Sequence, residues 1–277
     1  MRPIVAPMRT NSADSAKIPT VIHQIWIQGQ ASLPEVYRLA STTWQKNNRD
    51  WDYTLWDDRA LREFMARETP EWLPLYDSQE EKEAKADVGR YALLLARGGL
   101  YADMDTECVR PVAAMLERSQ ASLFLQVYDY PWTPVRFRPV EYKWIKNSVM
   151  ASVPAHPIWS EVRTAIERNP WSWFVPLRTG PLMLWPLAKS YAEKHAQDVC
   201  FWDHRKVLTA SYLPRAYMRW YGSIRRKICV LDFNDSVRKS LVRELRRPHQ
   251  LPHNFAAFLA AIAKEKLPGH SKRSEPR

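Results

Sequence analysis

Four alternating signals between residues 18 and 68 constrain this chain more than anything else in it. Ile18-Pro19 opens a β-branched run from Thr20 to Ile27, closed by Gly29, which reads as a buried strand. Residues 34–47 begin at Pro34 and carry Val36, Leu39, Ala40 and Thr43 at helical spacing. Trp51 to Trp56 alternates as a second strand, and Asp57-Asp58 starts a helix over residues 59–68. Strand, helix, strand, helix predicts an α/β sandwich built on a mainly parallel sheet.

The following segment points to chemistry. Residues 80–97 read as a helix with acidic residues first and Arg97 last, matching the helix dipole. Gly98-Gly99 stops it, where a left-handed cap needs a residue without Cβ. Leu100-Tyr101-Ala102 is a short strand, and Asp103-Met104-Asp105 follows at its carboxyl end. Ligands of open α/β sheets bind just beyond the carboxyl ends of strands. On an extended chain, carboxylates at i and i+2 point the same way and can share a hard divalent cation, Mn²⁺ or Mg²⁺. A D-x-D alone also describes a solvated loop end. Asp87, Arg90 and Tyr91 stand at i, i+3 and i+4 on the preceding helix and share a face, beside an apolar stripe of Val88, Ala92 and Leu95. The plain reading of Asp87–Arg90 is a surface ion pair. The functional reading has Arg90 facing a diphosphate and Asp87 accepting from sugar hydroxyls.

Composition excludes several alternatives. With 45% hydrophobic and 12% aromatic residues among 277, the chain has ample apolar surface for a core. Cys108, Cys200 and Cys229 are odd in number and show no C-x-x-C spacing, so neither a disulfide framework nor a zinc site is predicted. The net charge is +11, but residues 1–200 balance, and residues 201–277 hold 17 Lys and Arg against 6 Asp and Glu. A neutral body with a basic end predicts a separate docking surface rather than a nucleic-acid-binding protein. No apolar stretch approaches the roughly 20 residues of a membrane span, and the N-terminus shows no signal-like apolar region. The expected location is the cytoplasm or the periphery of a membrane.

The segments K-A-D-V-G-R-Y (85–91) and G-G-L-Y-A-D-M-D (98–105) resemble the D-x-D sugar-binding glycosyltransferase family, family 32. Its members include α-mannosyltransferases and mannosyl-inositolphosphoceramide synthases, and its D-x-D region is shared with glucosylating clostridial toxins. I-P-T-V-I-H-Q-I-W (18–26) is similar to the family's first strand and D-Y-T-L-W-D-D (52–58) to its second. N-S-V-M-A-S-V-P-A-H-P (147–157) and T-G-P (179–181) resemble two later segments, so the likeness is collinear over residues 18–190.

The resemblance implies a GT-A fold (a Rossmann-like nucleotide-diphospho-sugar transferase sandwich), a nucleotide-sugar donor, a divalent metal and transfer with retention. By the same resemblance, Trp26 flanks the nucleotide base, and Asp87 and Arg90 hold the donor sugar and diphosphate. Tyr101 reaches a phosphate or ribose. Asp103 meets sugar or ribose hydroxyls and contacts the metal, and Asp105 ligates it directly. Asn147, Thr179, Gly180 and Pro181 line the sugar side. The family's late His or Trp element is missing here. His249 and His253 are the nearest substitutes, with His253 the candidate third metal ligand, although both also read as ordinary loop histidines.

Three segments complete the expectation: a loose arm over residues 1–17, a catalytic domain over 18–254, and an amphipathic helix with a basic tail over 255–277. Residues 120–190 are rich in Trp and Pro and read as short strands and loops, with a helix near 157–168. Trp132, Trp144, Trp171 and Trp173 suit either an acceptor platform or core packing. Residues 215–230 mix cations with aromatics and suit an anionic membrane surface or a merely solvated face. The expected function is metal-dependent transfer of a hexose from GDP-mannose or a UDP-hexose to a glycan or glycolipid, with no nucleic-acid partner. A non-catalytic module binding a polyanion or membrane through the basic end is the alternative.

Overall fold

A computed structural model describes residues 17–116, 119–128, 144–170, 172–203, 205–209, 219–220, 222 and 228–233. The first four elements are β1 (Val21–Ile25), α1 (Glu35–Asn47), β2 (Asp52–Trp56) and α2 (Asp58–Glu68), in the order expected. Asp57 caps α2 by accepting from the Ala60 amide at 2.8 Å. A short helix α3 (Leu73–Asp77) leads to α4 (Lys82–Arg97), then β3 (Gly99–Ala102) and β4 (Thr106–Cys108). After α5 (Ala113–Leu116) come β5 (Leu123–Tyr128), β6 (Trp144–Ser152), α6 (Ile158–Arg168), α7 (Val175–Arg178) and α8 (Pro181–Lys194). The last described strands are β7 (Val199–Trp202), β8 (Val207–Thr209) and β9 (Val230–Asp232).

The main sheet has the order β2-β1-β3-β6-β5-β7. Its pairings make five strands parallel in direction, with β6 alone running against them. The α/β sandwich with a mainly parallel sheet is therefore borne out. The pleat sends β3 side chains to opposite faces: Tyr101 joins Val88, Ala92, Trp159 and Leu184 under α4, α6 and α8, whereas Leu100 and Ala102 join Ile22, Trp44 and Val149 under α1. A second sheet, β4-β9-β8, packs at the carboxyl end of β3.

Two expectations along the chain need correction. Residues 181–194 form a 14-residue helix rather than strands and loops. Pro181 occupies its first turn, where no donor is needed, and Pro186 removes a single internal hydrogen bond. Leu184, Ala188 and Tyr191, buried at i, i+4 and i+7, supply the packing that carries the helix. The D-x-D is not extended either. Asp103 ends the ladder, and the Thr106 amide and hydroxyl close a turn onto its carbonyl at 3.2 and 2.6 Å. Strand alternation therefore does not govern how Asp103 and Asp105 point.

The double glycine that joins α4 to β3 is sterically required. Gly98 and Gly99 have φ of 61° and 87°. A Cβ on Gly99 would come to 2.6 Å from the Val21 carbonyl oxygen on the neighbouring strand. Gly99→Ala is therefore expected to lose about 3 kcal/mol, from left-handed strain plus the clash with backbone that cannot move aside. Chemical denaturation measures it, and a loss below about 1 kcal/mol would contradict this packing. His23 secures the same corner. Its Nδ1 accepts from Trp56 Nε1 at 3.2 Å, so Nε2 carries the proton and donates to the Gly98 carbonyl at 3.1 Å. Burial lowers its pKa to about 4, and it is a neutral, hydrogen-bonded core histidine.

Candidate active site

Helix α4 positions the charged centre. Asp87, Arg90 and Tyr91 do share a face, but that face is buried rather than on the surface: the Asp87 and Arg90 side chains are 8% and 6% exposed. Arg90 reaches Asp87 Oδ1 at 3.3 Å and Asp103 Oδ1 at 3.1 Å. It also donates to the carbonyls of Asn147 at 2.7 Å and Ala86 at 3.2 Å, and lies over the Tyr101 ring at 4.5 Å. One guanidinium therefore ties α4 to the D-x-D turn and to β6.

Asp87 spends both oxygens on the protein. Oδ1 accepts from Asn147 Nδ2 at 2.7 Å, and Oδ2 from the Thr179 hydroxyl at 2.9 Å. The Tyr91 hydroxyl donates to the Thr179 carbonyl at 2.9 Å and accepts from Asn147 Nδ2 at 3.1 Å. Asp87 is thus the hub that gathers Asn147 and Thr179, two chain segments far apart in sequence. Gly180 makes the approach of this loop possible, because a Cβ there would meet Pro176 Cα at 2.8 Å. Pro181 opens α8. Arg178 anchors the loop from the other side, pairing with Glu81 and donating to Gln79 Oε1 at 3.1 Å and the Ser172 carbonyl at 2.8 Å.

Tyr101 is buried and gives its hydroxyl proton to Asp103 Oδ1 at 2.6 Å. In this structure it holds Asp103 in place. Gln24 donates to the Asp103 carbonyl at 3.1 Å and accepts from the Tyr53 hydroxyl at 2.8 Å. Asp103 keeps 28% of its side chain exposed, and Asp105 is half-buried. Trp26 is also half-buried. It donates to the Ser32 hydroxyl at 3.0 Å and packs with Leu33, Tyr37 and Met104, which places it against the middle residue of the D-x-D.

β6 contributes through an irregularity. Leu125 pairs with Met150 but the next residue, Gln126, pairs with Lys146, so residues 147–149 bow out of the β5–β6 ladder. Asn147 then faces α4 and Ser148 the opposite side. The Ser148 carbonyl accepts the Asp103 amide at 2.8 Å.

A polar cluster that sequence reasoning missed lies beside the D-x-D. Asp232, fully buried at the end of β9, pairs through Oδ2 with Lys146 Nζ at 2.7 Å. Gln126 Nε2 donates to the same oxygen at 2.9 Å, the Ser148 hydroxyl lies at 2.9 Å and the Thr209 hydroxyl at 3.1 Å. Residues 228–232, I-C-V-L-D, repeat the pattern of G-L-Y-A-D at 99–103, an apolar strand ending in Asp. That repetition was the available signal.

Electrostatics follow from the packing. Burial pushes the Asp87 carboxyl up, opposed by Arg90 and by the hydrogen bonds of Thr179 and Asn147. Burial likewise pushes Asp103 up, opposed by Arg90 and Tyr101 and reinforced by Asp232. At Asp232 burial acts in the same direction, but Lys146 and the hydrogen bonds around it outweigh burial and hold the carboxyl low. No cluster of three or more Asp, Glu, His or Cys suited to a metal occurs among the described residues. A cation here would complete its shell with donor phosphates and water, as Mg²⁺ and Mn²⁺ commonly do.

His249, His253, Trp132, Trp171 and most of the basic segment 215–230 lie outside the described residues, as do residues 1–16 and 255–277. Trp173 is 87% exposed and Phe174 39%, whereas Trp159 is buried and stacks on Tyr91 at 5.6 Å. Among the described residues no helix is long and apolar enough to cross a membrane.

Comparison with known proteins finds glycosyltransferases. Residues 34–122 match the family described as a glycosyltransferase sugar-binding region containing a DXD motif. Inositol phosphoceramide mannosyltransferase 2 of Schizosaccharomyces pombe is 31% identical over 196 residues, 69% of this chain and 52% of that protein. An uncharacterised glycosyltransferase of Acanthamoeba polyphaga mimivirus is 34% identical over 146 residues, 52% of this chain and 54% of that one. The chain spans about half the length of the curated relatives it matches. Among solved structures, the PaToxG glycosyltransferase aligns with a TM-score of 0.48 at 16% identity, covering 64% of this chain and 70% of that chain. Residues 34–122, which hold Asp87, Arg90 and the D-x-D, are thus similar to the sugar-binding region of DXD-containing glycosyltransferases, and yeast mannosyltransferases are among the relatives this chain resembles.

Proposed function

We propose that the chain transfers a hexose, in the first instance mannose, from a nucleoside-diphosphate sugar to a hydroxyl of a glycan or glycolipid, with retention at the anomeric carbon. The observation that carries this reading is the Asp87–Arg90–Asp103 centre at the carboxyl end of β3, beside the amino-terminal half of the antiparallel β6, with Asp105 next to it. Mannose rests on the relatives, which are named as mannosyltransferases. A lipid-linked acceptor rests on those named for inositol phosphoceramide and mannosyl phosphorylinositol ceramide.

Asp105 and Asp103 supply hard oxygen ligands suited to Mn²⁺ or Mg²⁺, and the bound cation would offset charge on the departing diphosphate. Arg90 sets the Asp103 carboxylate and adds a fixed positive charge that needs no reorganisation as negative charge develops. Asp87 does not itself meet the donor in this arrangement. It holds Asn147 and the Thr179-Gly180-Pro181 loop where the sugar is to lie. Trp26 flanks the base, with its indole fixed by Ser32. Trp173 and Phe174 form an exposed aromatic rim at 5.7 Å from each other, next to the Thr179 loop, suited to an acceptor's apolar or sugar face.

The test is a thermal-shift screen of GDP, UDP and their hexose conjugates with and without Mn²⁺. A ligand that binds only the native state at 100 times its Kd stabilises it by about 2.7 kcal/mol, which appears as a raised midpoint. A cation-dependent rise with one nucleotide, followed by release of that nucleotide from its sugar, is expected. No shift with any nucleotide would overturn the reading.

A further inference from the structure

We propose that Asp232 is a positioning residue for the D-x-D: with Lys146, Gln126, Ser148 and Thr209 it forms a clamp that fixes the turn carrying Asp103 and Asp105. Its consequence for donor binding rests on the function proposed above. Its structural part does not.

The cluster joins two sheets. Gln126 on β5 and Lys146 and Ser148 on β6 belong to the large sheet, and Thr209 on β8 and Asp232 on β9 to the small one. All four partners converge on a single Asp232 oxygen. They are also bonded to one another: Gln126 Nε2 lies 2.7 Å from the Thr209 hydroxyl, and Gln126 Oε1 lies 2.8 Å from the Ser148 hydroxyl.

From this hub two short paths reach the D-x-D. On one side Ser148 lies against Asp232 through its hydroxyl, while its carbonyl accepts the Asp103 amide at 2.8 Å. On the other, Asp232 pairs in register with Thr106, and the Phe233 amide donates to the Asp105 carbonyl at 3.1 Å. The turn is thus gripped before Asp103 and after Asp105 by elements that meet at one carboxylate. Gln126, Ser148, Thr209 and Asp232 are all buried, so the bonds are screened little by water. Asn147 bonds to Asp87 on one face of β6 and Ser148 to Asp232 on the other, so adjacent residues serve both halves of the site.

An outer group that orients a metal-binding carboxylate typically changes metal affinity or activity by 10–100-fold when removed. Asp232→Asn keeps the shape and removes the charge. It is expected to raise the KM for the donor about 10-fold, with GDP-mannose or UDP-glucose and Mn²⁺ as the probes, while kcat changes less than about threefold. Lys146→Met should reproduce this split, and Lys146→Arg should retain most of the donor affinity.

Amide hydrogen exchange supplies a readout that needs no activity. In Asp232→Asn the amides of Asp103 and Thr106 should exchange about 10-fold faster, while those of Ile22 and Leu100 in the main sheet keep their rates. Unchanged exchange at Asp103 and Thr106 would overturn the proposal. So would uniform acceleration with a lowered melting midpoint and no change in KM, which marks a merely structural residue. A wild-type protein that releases nucleotide from no sugar donor would sink the functional reading alone, because the exchange measurement would still decide whether the clamp exists.

Discussion

Arg90→Met is expected to cost about 3–5 kcal/mol of stability and to abolish donor turnover, the largest combined effect of any substitution in this site. The reason is what remains after the guanidinium is gone. Asp87 and Asp103 are held on either side of Arg90 at 3.3 and 3.1 Å, and burial already pushes both carboxyls up. Without the guanidinium the buried Asp87 and the partly exposed Asp103 carboxylates face each other, with Lys146 the remaining positive charge acting on Asp103, and the carbonyl of Asn147 loses its donor.

The pH dependence separates this cause from simple loss of packing. In the variant both folded-state pKa values rise further above their unfolded values. A group with a raised folded pKa adds stability below the unfolded pKa and loses it as pH rises through the folded one. Arg90→Met should therefore regain stability relative to the wild type as the pH is lowered from 7 to 5. A difference between the two proteins that stays constant over that range would refute the charge argument. Arg90→Lys restores the charge but not the fork that reaches Asp87, Asp103 and the Asn147 carbonyl together, so it should recover stability more than turnover.

Asp105→Ala is expected to do the opposite. Asp105 is half-buried, and its backbone carbonyl accepts from the Phe233 amide at 3.1 Å, a contact to β9 that alanine keeps. Its melting midpoint should move by only a few degrees. If its carboxylate ligates the cation that offsets the leaving diphosphate, kcat/KM should fall about 100-fold or more. The steady-state rate with saturating Mn²⁺ and the melting curve of the same preparation give both numbers. Turnover within about threefold of the wild type would remove Asp105 from the site. The pair of variants distinguishes a residue that builds the centre from one that acts in it.

The functional half of the molecule was legible where a local pattern carries its own physics. Polar residues at i, i+3 and i+4 beside an apolar stripe placed Asp87, Arg90 and Tyr91 on one face of α4. The double glycine marked the end of α4, and the acid after a short strand marked the carboxyl edge of the sheet. Pattern reasoning failed where the outcome depended on contacts. Asp103 and Asp105 were expected on an extended chain, but backbone and side-chain bonds from Thr106 close a turn there. The Trp- and Pro-rich residues 120–190 were expected as short strands and loops with a helix near 157–168, but from Pro181 onward burial of Leu184, Ala188 and Tyr191 carries a further helix and outweighs one missing hydrogen bond. The Asp87–Arg90 pair had a surface reading available, and only packing under β6 and α8 buries it.

Residue order alone determined the α/β class, the helix stop at Gly98-Gly99 and the identity of the acidic motif, because those follow from hydrophobic period, backbone sterics and side-chain charge within a few neighbours. Tertiary structure alone decided what the motif is attached to. Arg90 reaches Asn147 across 57 positions, Thr179 reaches Asp87 across 92, and Gln126 reaches Asp232 across 106. No periodicity reports such pairings, because they are set by which strands lie side by side and by which helices and loops pack on each face of them.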